Sequence, residues 1–193
     1  MAPLRSWLAE VATPILVVVV LDLAVALVFL AVSGKPARIG TLRAFSTVPS
    51  KLVELGIAGV SVALVASITR RALDPSLMTL GIAFVLLLDL DHLPSLFGVA
   101  QPIRPAHSLT FLVIEAIALA LVVKKGSVVL IAVASFFGHL AADTGIFAPF
   151  QPFSFQYISL DAYVVPLALV SLVFALAAGH LRRKEANMTP RPM

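Results

Sequence analysis

Apolar runs of near membrane-crossing length, joined end to end by short charged connections, constrain this chain more than any other feature. Six can be drawn: about Val11 to Ser33, Leu52 to Thr69, Leu77 to Leu90, Ser108 to Val123, Val128 to Ala142 and Ala162 to Leu181. A bilayer-spanning helix needs about 20 predominantly apolar residues, and in lipid each backbone polar group must find its partner within the protein. Of 193 residues, 60% are hydrophobic, 14 are Lys or Arg and 10 are Asp or Glu. That is roughly half the charge share of a soluble domain. The expected fold is all-α: a polytopic integral membrane helical bundle of about five to six transmembrane helices. It forms a single domain over residues 1–185, with a motif-bearing core at 80–150 and a polar tail, 186–193, expected to be disordered.

The charged residues punctuate the runs. The first run follows Arg5 and has Ala31-Val32-Ser33 as a loose small-residue cleavage site, but its length favours a retained helix over a signal peptide. Lys35, Arg38, Arg43 and Lys51 mark the next connection, and Arg70-Arg71 close the second run. Asp74-Pro75-Ser76 reads as a cap opening the third helix. Lys124-Lys125-Gly126 separate the fourth and fifth runs, and Arg182-Arg183-Lys184 end the sixth. Between the fifth and sixth, the Gly-, Pro- and Phe-rich segment from Gly145 to Phe153 reads as an interfacial loop. With six spans, nine basic residues fall on the side of the termini and five on the other, so a multi-pass cell-membrane protein with cytoplasmic termini is expected. No basic stripe interleaved with aromatics is present, which argues against nucleic acid as a partner.

Three windows then stand out, all at run ends on the non-cytoplasmic side: Asp89-Leu90-Asp91-His92, His107-Ser108 and His139 with Asp143. They hold three of the four histidines and three of the ten acids. Ionisable groups at membrane depth are costly, so their concentration asks for a function. His139 and Asp143, four apart, and Asp89 and His92, three apart, could each share a helix face. The chain has no Cys, so any metal must be held by imidazole and carboxylate, a donor set that suits zinc, manganese or iron better than calcium or magnesium. Taken singly, each window has an ordinary reading: a helix end at the headgroups, a hydrogen-bonded pair between helices, an N-terminal cap. Their concurrence on one membrane face points to a metal or catalytic site. Asp22 and Glu115, inside the first and fourth runs, are candidates for a supporting partner, a helix contact or a proton relay.

In order and spacing, these windows resemble the YdjM-like family of inner-membrane-bound, metal-dependent hydrolases. That family carries an Asp-x-Asp-His segment, a Thr-His-Ser opening the next helix, and a Ser-His-x-x-x-Asp helix running into Gly and a Pro-Phe pair. Here the counterparts are Asp89 to His92, Ala106-His107-Ser108, and Gly138-His139 through Asp143 to Gly145 with Pro149-Phe150. The likeness covers about Leu80 to Phe150; Ala106 replaces the Thr, and the family's His-Arg pair is displaced to Arg104-Pro105 without its His.

The resemblance implies a metal-dependent hydrolase. On that reading His92, His107, His139 and Asp143 would be the ligands of a divalent ion, zinc first and manganese or iron as alternatives. Asp89 and Asp91 would serve as bridging ligand, as hydrogen-bond partner to a ligand or as general base, and Arg104 and Ser108 would contact an anionic group of the substrate. A site at this depth suits a lipid or lipid-linked (phospho)ester arriving laterally from the bilayer. Two rival classes use the same residues: a cation or proton transporter, and a non-catalytic membrane scaffold in which they only join helices.

Overall fold

Asp74 shows how local chemistry sets the architecture. Its carboxylate accepts the N–H groups of Ser76 (3.0 Å) and Leu77 (3.4 Å), and Pro75 occupies the first helical position, where a missing N–H costs nothing. A computed structural model describes residues 2–33, 56–68, 73–92, 105–143, 146–151, 153–154 and 156–188, and these are mostly helical. The α-helices are α1 (Ala2–Ser33), α2 (Gly56–Ile68), α3 (Pro75–Leu87), α4 (Leu109–Val123), α5 (Gly126–Ala142) and α6 (Val164–Met188). Two short 3-10 turns, Leu88–His92 and Pro105–His107, follow α3 and precede α4. Among the described residues, Trp7–Val25 of α1 and the whole of α6 are long and apolar enough to cross a membrane; the helices between them are apolar but shorter.

The helix α5 is central, packed most extensively against α6 and then against α3 and α4, while α1 lies against α3, α4 and both 3-10 turns. Small residues permit the close approach. A Cβ on Gly59 of α2 would stand 2.9 Å from the Ile82 Cα of α3, and one on Gly138 would meet Val62 at 3.0 Å and Ser171 at 3.1 Å. Such contacts matter most where dispersion and hydrogen bonding, rather than water exclusion, join helices. Ser171 adds one such bond, donating across to the Ala134 carbonyl at 2.7 Å.

Two apolar clusters stack along the bundle. One includes Val11, Val18, Leu77, Leu80, Phe84, Leu119 and Ile131; the other includes Leu88, Ala106, Phe111, Phe136, Leu140 and Leu160. The outer surface is also apolar, with Leu16 62%, Ile57 62%, Leu121 69% and Val165 68% exposed on four different helices.

Three local differences from the sequence reading have physical reasons. The third helix ends at Leu87, and the next five residues tighten into a 3-10 turn instead of continuing to Leu90. The last helix runs to Met188, into the stretch expected to be a disordered tail, because Glu185 is held by the N–H and hydroxyl of Ser127 at the start of α5. Finally, the excursion between α5 and α6 contains a two-residue antiparallel ladder, Ile146 opposite Ser159 and Phe147 opposite Ile158, within a chain expected to be wholly helical. Pro149 in this excursion cannot continue a helix, yet its carbonyl accepts the Leu109 N–H at 2.8 Å and so ties the loop to the start of α4.

Candidate metal centre

Three elements bring their ends together beside the second apolar cluster. At the C-terminal end of α5, His139 is fully buried, and its Nδ1 lies 2.7 Å from the Val85 carbonyl of α3. A carbonyl only accepts, so Nδ1 carries the proton and the neutral ring turns the lone pair of Nε2 the other way. There Nε2 meets the Nε2 of His107, also buried, at 2.9 Å, with the two rings inclined by 67°. Asp89 completes the group, with Oδ1 at 3.5 Å from His107 Nε2 and 3.6 Å from His139 Nε2. All three donor atoms lie within 4.8 Å of one another, so Asp89, His107 and His139 could hold a metal ion.

The geometry fits a small divalent ion closely. Nitrogen and oxygen donors at about 2.0–2.1 Å in tetrahedral array stand about 3.3 Å apart. Both edges to the carboxylate are near that length, and only the nitrogen–nitrogen edge, at 2.9 Å, has to widen by a few tenths of an ångström. The alternative filling is a single proton: His107 Nε2–H donating to His139 Nε2, with the Asp89 carboxylate beside the pair. Either a cation or a proton is needed, because two lone pairs cannot face each other at this distance without one.

Local sequence explains the convergence. In an α-helix Asp89 would follow Val85 by four residues on the same face; the tighter 3-10 winding from Leu88 rotates it relative to that register. His107 ends the other 3-10 turn, and Ser108 behind it begins α4 as an N-cap, its hydroxyl accepting the Phe111 N–H at 3.1 Å. The cap uses an acceptor lone pair of Ser108, for which the resemblance implies contact with substrate. Asp143 is buried and is the C-cap of α5, its N–H still donating to the His139 carbonyl at 2.8 Å so that the helical spacing holds, but it is not one of the three donors that converge. Asp91 and His92 lie in the 3-10 turn with side chains outside the described residues, as Arg104 is altogether. The carboxylate placed with the imidazoles is thus Asp89, for which the resemblance implies a bridging-ligand or general-base role. Its position after a hydrophobic helix and before Pro94 was the available signal.

A second polar cluster lies at the opposite ends of α3 and α5. Glu10 Oε1 is 2.6 Å from both Lys125 Nζ and Arg182 Nη1, Arg182 Nε donates to Asp74 Oδ2 at 3.1 Å, and Ser76 Oγ donates to Glu10 Oε2 at 3.1 Å. It joins α1, α3, the turn before α5, and α6, and brings the beginning of α1 and the end of α6 to one end of the bundle.

Comparison with protein-family models, with curated proteins and with solved structures finds no match to this chain.

Proposed function

We propose that the chain is a multi-pass membrane protein with a metal-dependent hydrolase site at Asp89, His107 and His139. The observation that carries this reading is the convergence of two buried imidazole nitrogens and one carboxylate oxygen on a point that fits a tetrahedral ion. The apolar outer surface and the alternating run of six helices support a membrane setting; α2 to α5 are short for a bilayer of about 30 Å and would complete their crossings with the flanking turns. Basic residues at the Glu10–Arg182 end support cytoplasmic termini, with the histidines on the far side. There, Phe153 (84% exposed), Phe150 and Tyr157 form an aromatic fringe suited to the headgroup level.

A bound divalent ion, zinc by donor type, would supply Lewis acidity and an ordered water for attack on an ester. The chain's own residues hold that position: Val85 fixes the tautomer of His139, the Ser108 cap fixes the start of α4 beside His107, and the Asp89 carboxylate offsets charge. A lipid or lipid-linked ester is the proposed substrate, and the resemblance to the YdjM-like hydrolases supports the reaction class. Elemental analysis of the purified protein tests the reading. About one equivalent of zinc, manganese or iron is expected, and its absence even after loading would overturn it.

Cation or proton transport is the second reading, favoured by Glu115, an acid buried (3% exposed) within α4 and away from the three donors. Metal uptake or proton flux in proteoliposomes without ester hydrolysis would select it.

A further inference from the structure

The end of the bundle that holds Glu10 and Arg182 carries more positive charge than its ion pairs use. Its described acids are engaged internally: Glu10 with Lys125 and Arg182, Asp74 with Arg182 and the start of α3, and Glu185 with the N–H and hydroxyl of Ser127. Lys124, Arg183 and Lys184 are exposed, and among the described residues none of the three has an ion-pair partner. They belong to one end surface. Lys125 and Arg182, which adjoin them in the chain, meet on the same oxygen of Glu10, and a Cβ on Gly126 would stand 2.6 Å from the Leu181 side chain of α6.

The helix faces leading to these bases supply a second observation. On α6, Val165, Leu169 and Leu176 are exposed, and the steps of four, seven and seven from Val165 through them to Arg183 keep to one helix face. On α4, Val113, Ile117 and Leu121 are exposed at successive steps of four, and Lys124 closes the helix three residues further on. Each stripe is apolar along the helix and ends in a base at the same end of the bundle. That order matches a phospholipid, with hydrocarbon chains along the helix and an anionic phosphate at its end. An acidic soluble partner would use the bases but leave both apolar stripes uncovered.

Resting on the membrane setting proposed above, and not on the metal centre, we propose that Lys124, Arg183 and Lys184 form a binding surface for the headgroups of anionic phospholipids in the leaflet at this end. Their N–H groups donate charge-assisted hydrogen bonds to phosphate oxygens. A zwitterionic headgroup brings its own cation into the same surface and gains less, so the surface selects for net negative charge.

The test reconstitutes the full chain in vesicles and uses Trp7, the one tryptophan of the sequence, as reporter. Trp7 lies on α1 one turn before Glu10, at the same end of the bundle. Lipids brominated near the top of their acyl chains quench an indole they touch. Brominated phosphatidylglycerol and phosphatidylcholine, each competed with the unlabelled other, therefore read the headgroup preference beside Trp7. One base near an anionic surface is worth about fivefold, so a preference for phosphatidylglycerol of about fivefold or more at low salt is expected. It should shrink in about 1 M salt. In Lys124→Gln/Arg183→Gln/Lys184→Gln the two lipids should come within twofold of each other, whereas the charge-retaining Lys124→Arg/Arg183→Lys/Lys184→Arg should keep the preference. A preference that survives the triple Gln substitution, or a wild type that shows none, would overturn the headgroup surface while leaving the membrane setting intact, because quenching itself places Trp7 against lipid. Binding of a soluble polyglutamate probe by a wild type without lipid preference would assign the bases to an acidic partner instead. Quenching by neither lipid would overturn the membrane setting, and the headgroup surface with it.

Discussion

The two ends of the bundle treat buried polarity in opposite ways. At one end, Glu10, Asp74, Lys125 and Arg182 alternate in sign, so each contact satisfies a charge with its opposite. At the other, His107, His139 and Asp89 turn atoms of one kind, lone-pair donors, toward a common point. The first arrangement is complete as protein alone and joins helices. The second requires a shared proton or a cation. Both are polar clusters in an apolar chain; the first is closed by its own charges, while the second stays incomplete until it takes either the His107 proton or a cation, and that occupant decides whether it is a fastening or a site.

The largest expected effect tests the incomplete end. His139→Gln keeps much of the side-chain volume but removes one imidazole donor, and should lower metal affinity by more than the roughly 100-fold that losing an outer partner costs. Cobalt or zinc titration of the purified protein reads this directly, and near wild-type affinity would show that the histidines are merely hydrogen-bonded to each other. Asp89→Asn, which retains one oxygen donor but loses the charge, should weaken binding by less than His139→Gln.

The complete end should respond in stability and not in metal. Breaking a buried ion pair by removing one partner costs about 3–5 kcal/mol, and Glu10 is one-fifth exposed, so Arg182→Leu should cost about 2 kcal/mol in denaturant unfolding. Metal affinity per folded molecule should stay within twofold of wild type. A parallel loss of metal would mean the two ends are coupled through α3 and α5, and the contrast between them would fail.

A smaller effect separates the carboxylates near the centre. Asp143 is buried close to the end of α5 but outside the three-donor group, so Asp143→Asn should change metal affinity less than Asp89→Asn does. The reverse order would restore Asp143 as the principal carboxylate ligand.

Much of the architecture was legible because apolar runs and their punctuation act locally. Asp74-Pro75-Ser76 does open α3, and Ser108 does cap α4, since an N-cap depends only on the next three residues. The three windows at the histidine end were likewise visible as isolated polar residues in apolar surroundings. How Asp89 comes to face the imidazoles was not legible: that depends on the change from α to 3-10 winding at Leu88. Nor was the ion-pair network, because Glu10 and Arg182 are brought together only by the packing of the first and last helices. Lys125 and Arg182 read in the sequence as orientation signals, and in the structure they are also structural partners of Glu10.

The smallest expected effect lies in the turn beside the ion-pair end. Lys124 ends α4 in the left-handed conformation (φ 56°, ψ 28°), the C-terminal geometry glycine adopts without a Cβ clash. In the folded state Lys124→Gly should relieve about 1 kcal/mol, while the freer unfolded chain takes back part of that gain. The net change should therefore be a few tenths of a kcal/mol in the stabilising direction, with the Glu10–Lys125 pair retained and metal affinity unchanged. A loss of stability greater than that of Arg182→Leu would show that the Lys124 side chain, rather than its backbone geometry, holds this end of the bundle together, and the network of Glu10, Asp74, Lys125 and Arg182 would no longer be a complete account of it.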